Sequence, residues 1–481
     1  MIKRGMLKLV GLTLMILSGI NNLHAQDAQI ITLEKAIELA LENNLQVKQA
    51  QLNEALSEEN LNQSKYALLP NLGASPQASE NFGRSIDPLT NQFSTQHIFA
   101  VNGSISSQLV LFQGFQKLNQ IKQNKLLLEA DKSATNKVKN DLILNVVVTY
   151  LQILTNQDLV KASEQQIEIA KLTLNREQEN FDVGNKTLAD LSQAKAQLAS
   201  TELTLTDAQN QADISILTLK QYLEMSPDAL IQVEKPDLTR LGNIRTDFDA
   251  LEVYATALTT NPDVQLAERQ KEAAFKGIDI ARGNYYPSVV LFGSLGTGYS
   301  SGREQIVGTV DHGLLPIGTV EGSNQQVVSL MRNIEPVYGP YGFSSQLSDN
   351  FNQSVGIGLS IPIFGNFQAR SSVRKAKINY QNASIQSQLA KNNLGKIIAQ
   401  AVLDLKAAEK RYFSAERTYE ANKDAFNVIE QRYEVGLVNS LEYTTSQTNL
   451  NKSEFDLIQA RYDRVFRSKV IDYYLGNVIT F

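Results

Sequence analysis

The chain says the same thing twice. A shift of 217 positions sets Ala40, Leu41, Asn44, Val47 and Pro70 on Ala257, Leu258, Asn261, Val264 and Pro287. A shift of 252 sets Phe112, Phe115, Gln116, Lys125, Val183, Gly184, Leu198, Tyr222 and Leu223 on Phe364, Phe367, Gln368, Lys377, Val435, Gly436, Leu450, Tyr474 and Leu475. The second register runs without a gap for more than a hundred residues. Such a chain is a tandem duplication, and only a fold that uses one unit twice is open to it. The repeats are expected at 26–223 and 249–475, with a Pro- and Asp-containing linker at 224–248 and a tail at 476–481.

The first residues read as a secretory signal, 1–25. Lys3, Arg4 and Lys8 precede an apolar run from Leu9 to Ile20, and Leu23-His24-Ala25 fits a cleavage site. Removing three cations takes the formal net charge from −5 to −8, which argues against nucleic acid as a partner. With no cysteine there is no disulfide, thiolate metal site or lipidated cysteine. No later stretch reaches 18 uninterrupted apolar residues, so no transmembrane helix is expected, and an exported chain without one can still enter a membrane as β-strands.

Each repeat opens with an amphipathic helix. Leu33, Ala36, Ile37, Ala40 and Leu41 share a face, and Thr32 is placed to cap it. The second copy starts at Asp249, with Glu252 at capping-box spacing. One helix is expected over about 33–66, and Pro70 and Pro287 stop the two copies.

The period then changes to two. Val355, Ile357, Leu359, Ile361 and Ile363 alternate with Ser354, Gly356, Gly358 and Ser360. Val101, Ile105, Leu109 and Leu111 alternate with Asn102, Ser104, Ser106 and Gln108, and Val289, Leu291 and Leu295 with Ser288 and Ser294. These are strands with one apolar and one polar face, expected over about 98–112, 288–299 and 353–364. A fourth, about 71–80, contains Pro76, and only the repeat argues for it. The segment from about 300 to 352 reads as an exposed surface loop rich in Gly, Ser and Asn.

Long helices follow over about 115–181 and 367–433, then tight turns at Val183-Gly184 and Val435-Gly436, then return helices over about 186–223 and 438–475. A helix of 67 residues is about 100 Å long, and the return-helix seam has coiled-coil character.

Four strands cannot close a membrane barrel, which needs at least about eight. An open edge in lipid leaves backbone groups unpaired at several kcal/mol each, so copies must pool their strands. A dimer gives eight and a trimer twelve, and geometry alone does not choose.

The duplicated order of helix, strand pair, long helix, Val-Gly turn and return helix resembles the TolC-like outer-membrane efflux protein family. The residues that carry the likeness are Phe181-Asp182-Val183-Gly184 with Asp190, Tyr433-Glu434-Val435-Gly436 with Glu442, Leu68-Leu69-Pro70, and Phe112 with Gly114. The resemblance implies a mainly α fold with a small membrane β part. It also implies a homotrimer whose twelve-stranded β-barrel continues into a periplasmic α-helical barrel. Such a protein is a passive exit duct in the outer membrane of a Gram-negative bacterium. It docks on a periplasmic adaptor coupled to an inner-membrane pump driven by protons or ATP, and it needs no cofactor.

By the same resemblance the adaptor contact falls on Val183, Gly184, Val435 and Gly436, and the periplasmic gate on Asp190, Tyr433 and Glu442. Three copies of each acid around one axis, with charges about 6 Å apart, repel by roughly 2–3 kcal/mol at an effective dielectric of about 20. Solvated acids on a helix face are the plainer reading. Some relatives carry a basic residue where Val438 stands, able to latch the closed tip to the acid of the first half; Lys186 is the candidate substitute near the first turn. Phe112, Phe115, Tyr285, Tyr286, Phe364 and Phe367 form either a membrane-interface girdle or packing at the strand–helix junction.

No nucleophile elbow, zinc helix or phosphate loop occurs, so no enzyme is expected. The alternative to a duct is an exported coiled-coil spacer or surface filament, which has no use for one-sided strands.

Overall fold

The structure, a computed structural model, describes residues 29–86, 91–95, 97–235, 245–323 and 325–477. The secretory signal and residues 478–481 of the tail lie outside these. In chain order the elements are β1 (Gln29–Ile31), α1 (Leu33–Asn43), α2 (Leu45–Tyr66), β2 (Asn71–Asn81), β3 (Ser85–Ile86), β4 (Phe93–Ser94), β5 (Ile98–Gln113), α3 (Gln116–Asp182) and α4 (Leu188–Tyr222). The second half gives β6 (Ile231–Val233), α5 (Ala250–Thr260), α6 (Pro262–Arg282), β7 (Ser288–Ser300), β8 (Glu304–Thr319), β9 (Gln326–Pro340), α7 (Phe343–Asp349), β10 (Asn352–Ser360), α8 (Gln368–Glu434) and α9 (Ser440–Leu475).

The opening helix is not continuous in either repeat, contrary to the sequence reading. It breaks at Asn44 and again at Asn261. Each asparagine ends one helix and starts the next. The Asn44 carboxamide oxygen accepts from the amides of Gln46 and Val47, and that of Asn261 from Asp263 and Val264. An Asn cap supplies the acceptor that orphan amides at a helix start need, and Pro262 suits the first helical turn.

Two compact units divide the chain, and both long helices have residues in each. The helical unit holds Leu126–Glu272, Gln381 onward and the segment up to Glu58. One cluster in it buries Ile31, Ala36, Val146, Ile153 and Leu219 completely. A second joins α5, α6, α8 and α9 through Val253, Ala257, Val264, Ile398, Leu405 and Ile471. Each fully buried Ile or Leu contributes about 1.5–3 kcal/mol. The inter-repeat linker is tied in by a short parallel pairing of β6 on β1. The buried Tyr150 hydroxyl donates to the carbonyl of Glu234 at 2.7 Å and also lies 3.1 Å from that of Ile31.

The sheet unit holds Glu59–Lys125 and Ala273–Tyr380. Its antiparallel sheet runs β10-β7-β5-β2, so among the described residues β10 and β2 are open edges. Pro76 lies within β2 opposite Gly103. An edge strand tolerates a residue with no amide to donate. The register aligns faces across all four strands. One rung is Asn71, Gln108, Phe292 and Gly356; the next is Gly73, Ser106, Ser294 and Ser354; a third is Ser75, Ser104, Gly296 and Asn352. The reverse face carries Leu72, Ile105, Leu109, Leu291, Leu295, Val355, Ile357 and Leu359. A bulge between Val110 and Phe112 takes Leu111 out of the ladder and puts Phe112 on the apolar face opposite Val289.

Two expectations are corrected in this unit. β10 stops at Ser360, so Ile361 and Ile363 lie beyond the strand. Pro362 follows at once and has no amide for a ladder. The 300–352 segment is not loop: β8 and β9 pair as a long hairpin with four register shifts. Prolines and glycines inside both strands mask the period-two pattern in the sequence.

At the hairpin base, α7 places Gln346, which is fully buried. Its carboxamide oxygen accepts from the Ser300 amide at 3.0 Å, and its nitrogen donates to the carbonyls of Ser300 at 3.0 Å and Tyr341 at 2.8 Å.

Candidate functional site

The two tip turns are built alike. In the first, the amide of Asn185 donates to the carbonyl of Asn180 and that of Gly184 to Phe181; in the second, Leu437 donates to Arg432 and Gly436 to Tyr433. This double bond is the Schellman end of a helix, which needs a left-handed residue just past the last turn. Gly184 and Gly436 supply it at φ +81° and +76°. Thr187 and Asn439 then cap the return helices.

Val183 and Val435 are 71% and 69% exposed, and Leu188, Leu437 and Leu441 are exposed with them. A helix-hairpin end that presents this much apolar surface is unfinished as a free surface.

Behind the turns, residues from both repeats meet. Asp190 closes a capping box with Thr187, and its other carboxylate oxygen accepts from the Ser440 hydroxyl of the second repeat. Those two hydroxyls hold the Asp190 carboxyl below its ordinary pKa. Glu442 is exposed, and its backbone amide, not its carboxylate, is engaged by the Asn439 cap.

Tyr433 is buried and stacks on Tyr443 with ring centroids 4.5 Å apart and planes at 18°. Phe426 and Val438 complete this cluster. Val438 is therefore apolar because it packs inside the second hairpin.

The cations come from the first repeat. Lys186 lies 4.5 Å and Arg176 4.8 Å from the Tyr433 ring centroid. Between them sits Glu177, with its side chain 2% exposed and its carboxylate 3.9 Å from Lys186 and 3.8 Å from Arg176. Among the described residues, neither carboxylate oxygen nor the Tyr433 hydroxyl has a well-formed hydrogen-bond partner. Burial, and then the Glu177 carboxylate beside it, push the Tyr433 phenol above its ordinary pKa.

The sequence reading named Asp190, Tyr433 and Glu442. The structure brings the first two into one cross-repeat cluster and leaves Glu442 outside it. Glu177, Arg176, Tyr443 and Ser440 were missed. Tyr443 falls beside the cap, but nothing in the sequence marks Glu177 among the many acids of α3.

The six strand-end aromatics lie in the sheet unit. Phe112 meets Phe115 at 5.2 Å and Phe364 meets Phe367 at 5.5 Å, both edge to face. Phe115 and Phe367 adopt φ +60° and +57°, a left-handed turn repeated in both copies. Both rings stay exposed, as do Tyr285, Tyr286 and Phe364.

Among the described residues no cluster of three or more His, Cys, Asp or Glu side chains is placed to hold a metal ion. No helix among them is long and apolar enough to cross a membrane.

A duplicated unit of strand pair, long helix and return helix defines a class of helix-and-strand proteins. The family model described as outer membrane efflux protein matches residues 36–223 and 253–477. The chain belongs to that family. It is 21% identical over 448 residues to the outer membrane efflux protein BepC of Brucella suis, covering 93% of this chain and 85% of BepC. It is 21% identical over 487 residues to the outer membrane protein TolC of Escherichia coli, covering 98% and 86%. Among solved structures, CusC superposes with a TM-score of 0.75 at 16% identity, covering 93% of this chain and 92% of that one. VceC of Vibrio cholerae gives 0.72 at 17%, covering 92% and 96%. At these identities the structural likeness speaks for the fold.

Proposed function

We propose that this protein is the outer-membrane channel of a tripartite efflux or secretion system, a passive exit duct made of three copies. One observation carries the reading: a four-stranded sheet with one apolar and one polar face, open at both edges. In lipid those edges must pair, and β10 of one copy is the partner available to β2 of the next. Three copies close twelve strands, with the apolar face to lipid and the Ser, Asn, Gln and Gly face to the lumen. The names of the related proteins, outer membrane efflux and export proteins, support the same function.

The helical unit stands in the periplasm, and its two Val-Gly turns form the periplasmic tip. Val183, Gly184, Val435 and Gly436 meet a periplasmic adaptor, which joins the duct to an inner-membrane pump driven by protons or ATP. The exposed valines and leucines of the turns are the contact surface. Asp190, Tyr433 and Glu442 belong to the gate. The latch is supplied by Lys186 and Arg176 against Tyr433, in place of a basic residue at 438. The exposed aromatics at the strand ends mark the membrane boundary on the helical side. A spacer or filament would have no use for the sheet's apolar face.

The test is fractionation and conductance. The protein should sediment with outer membranes, need detergent, cross-link as a trimer, and form channels in planar bilayers. A water-soluble monomer without detergent would refute the reading.

A further inference from the structure

We propose that the membrane barrel sorts cargo by apolar contact and not by charge, and that Phe292 is its cargo-contacting residue. The inference rests on the exit-duct reading and adds a substrate class to it: uncharged amphipathic molecules that carry an apolar or aromatic part.

Register places the evidence. Among the described residues of β2, β5, β7 and β10, the only acidic or basic side chain is Glu80. It pairs with Phe99 on the apolar, lipid-side face. The lumenal face is therefore without formal charge along the whole sheet. A charged solute finds no counter-ion there, and a neutral one meets no charge barrier.

That face is not uniformly polar. Phe292 is its one aromatic residue among the described strand positions, and Val110 and Val290 occupy the rung next to it, toward the helical ends of the strands. In three copies these residues make an apolar band around an otherwise hydrophilic lumen. The Phe292 ring is held in place: it lies across Gly356, where a Cβ would come within 2.6 Å of its Cζ. An aromatic ring covering a cross-strand glycine is a known way to fill a gap in a sheet. Here the ring does more than fill, because it remains 45% exposed. A fixed ring with a free face costs little entropy on contact, which suits transient binding of apolar groups.

The test uses the full-length trimer in planar bilayers, in the background Asp190→Asn with Glu442→Gln, which removes the tip acids. Phenyl glucoside is added and compared with methyl glucoside. Current blockades by phenyl glucoside should last several-fold longer, and Phe292→Ser should erase the difference. Phe292→Leu, which keeps volume and apolarity, should retain part of it and shows that the barrel still assembles. In a KCl gradient the same background should give a reversal potential near zero. Blockades unchanged in both Phe292 variants, or strong ion selectivity with the tip acids neutralised, would overturn the proposal while leaving the duct reading intact. Failure of the unmodified trimer to form any channel would overturn both.

Discussion

Lys186, in the first tip turn, holds its ammonium 4.5 Å from the ring centroid of Tyr433, at the end of the second long helix. It is a link between repeats made by a cation that the sequence places beside a turn. Cation–π contacts of this kind are worth about 0.5–2 kcal/mol. If the link favours the closed tip, Lys186→Met should raise the opening equilibrium about two- to thirty-fold, since about 1.4 kcal/mol is a factor of ten. Lys186→Arg should restore closure. Equal open probabilities for the three proteins in bilayers would remove Lys186 from the latch.

Glu177 should matter more than either cation. Breaking a buried ion pair costs about 3–5 kcal/mol, and part of that applies here because Arg176 and Lys186 keep some contact with water. Glu177→Gln is expected to loosen the tip and speed amide hydrogen exchange around 176–186 and 433–443. Protection equal to that of the parent protein would count against the assignment.

The Asp190 carboxyl is held below the usual range by the Ser440 and Thr187 hydroxyls. A folded-state pKa that is depressed contributes stability above the unfolded value and loses it as pH falls through the folded one. The Asp190–Ser440 link should therefore be constant from pH 5 to 8 and weaken only below about pH 4. Tip opening in Ser440→Ala should exceed that of the parent across the neutral range, and the two should converge in acid. Convergence near pH 7 instead would refute this.

Gly184 and Gly436 have open space around them, so an added methyl meets only backbone strain. Gly436→Ala should cost about 1–2 kcal/mol in local stability. Val435→Ala, at an exposed position, should leave stability unchanged and weaken cross-linking to the adaptor. Intact cross-linking would take the turn out of that interface.

Glu268 on α6 is bonded by Lys391 at 2.6 Å and by Ser387, both on α8, and these bonds lower its pKa to about 2. Its contribution is complete above the ordinary glutamate range and fades as pH falls toward 2. Glu268→Gln should lower Tm at pH 6 and flatten the acid limb of the Tm profile between about pH 4.5 and 2. Parallel profiles for the two proteins would show that the pair contributes nothing.

Sequence made the long helices plain because nothing interrupts their period, and it made β10 plain because its alternation is clean. β2 was legible only through its twin, since Pro76 hides an edge strand. The breaks at Asn44 and Asn261 were hidden because asparagine inside a helix is only mildly unfavourable, and its capping role appears once the chain turns. The β8–β9 hairpin was hidden by its own prolines and glycines. At the tip, Asp190 and Tyr433 stand beside a recognisable turn. Glu177 owes its importance to burial between two chain segments more than 250 residues apart, which local spacing does not encode.

Gln346 seals the end of β7 with three hydrogen bonds that involve nothing in the long hairpin past Glu304. The base of the ribbon is thereby pinned independently of what lies beyond it. Length and composition there are free to drift, and foreign sequence grafted between Thr319 and Gln326 should leave the four-stranded sheet intact.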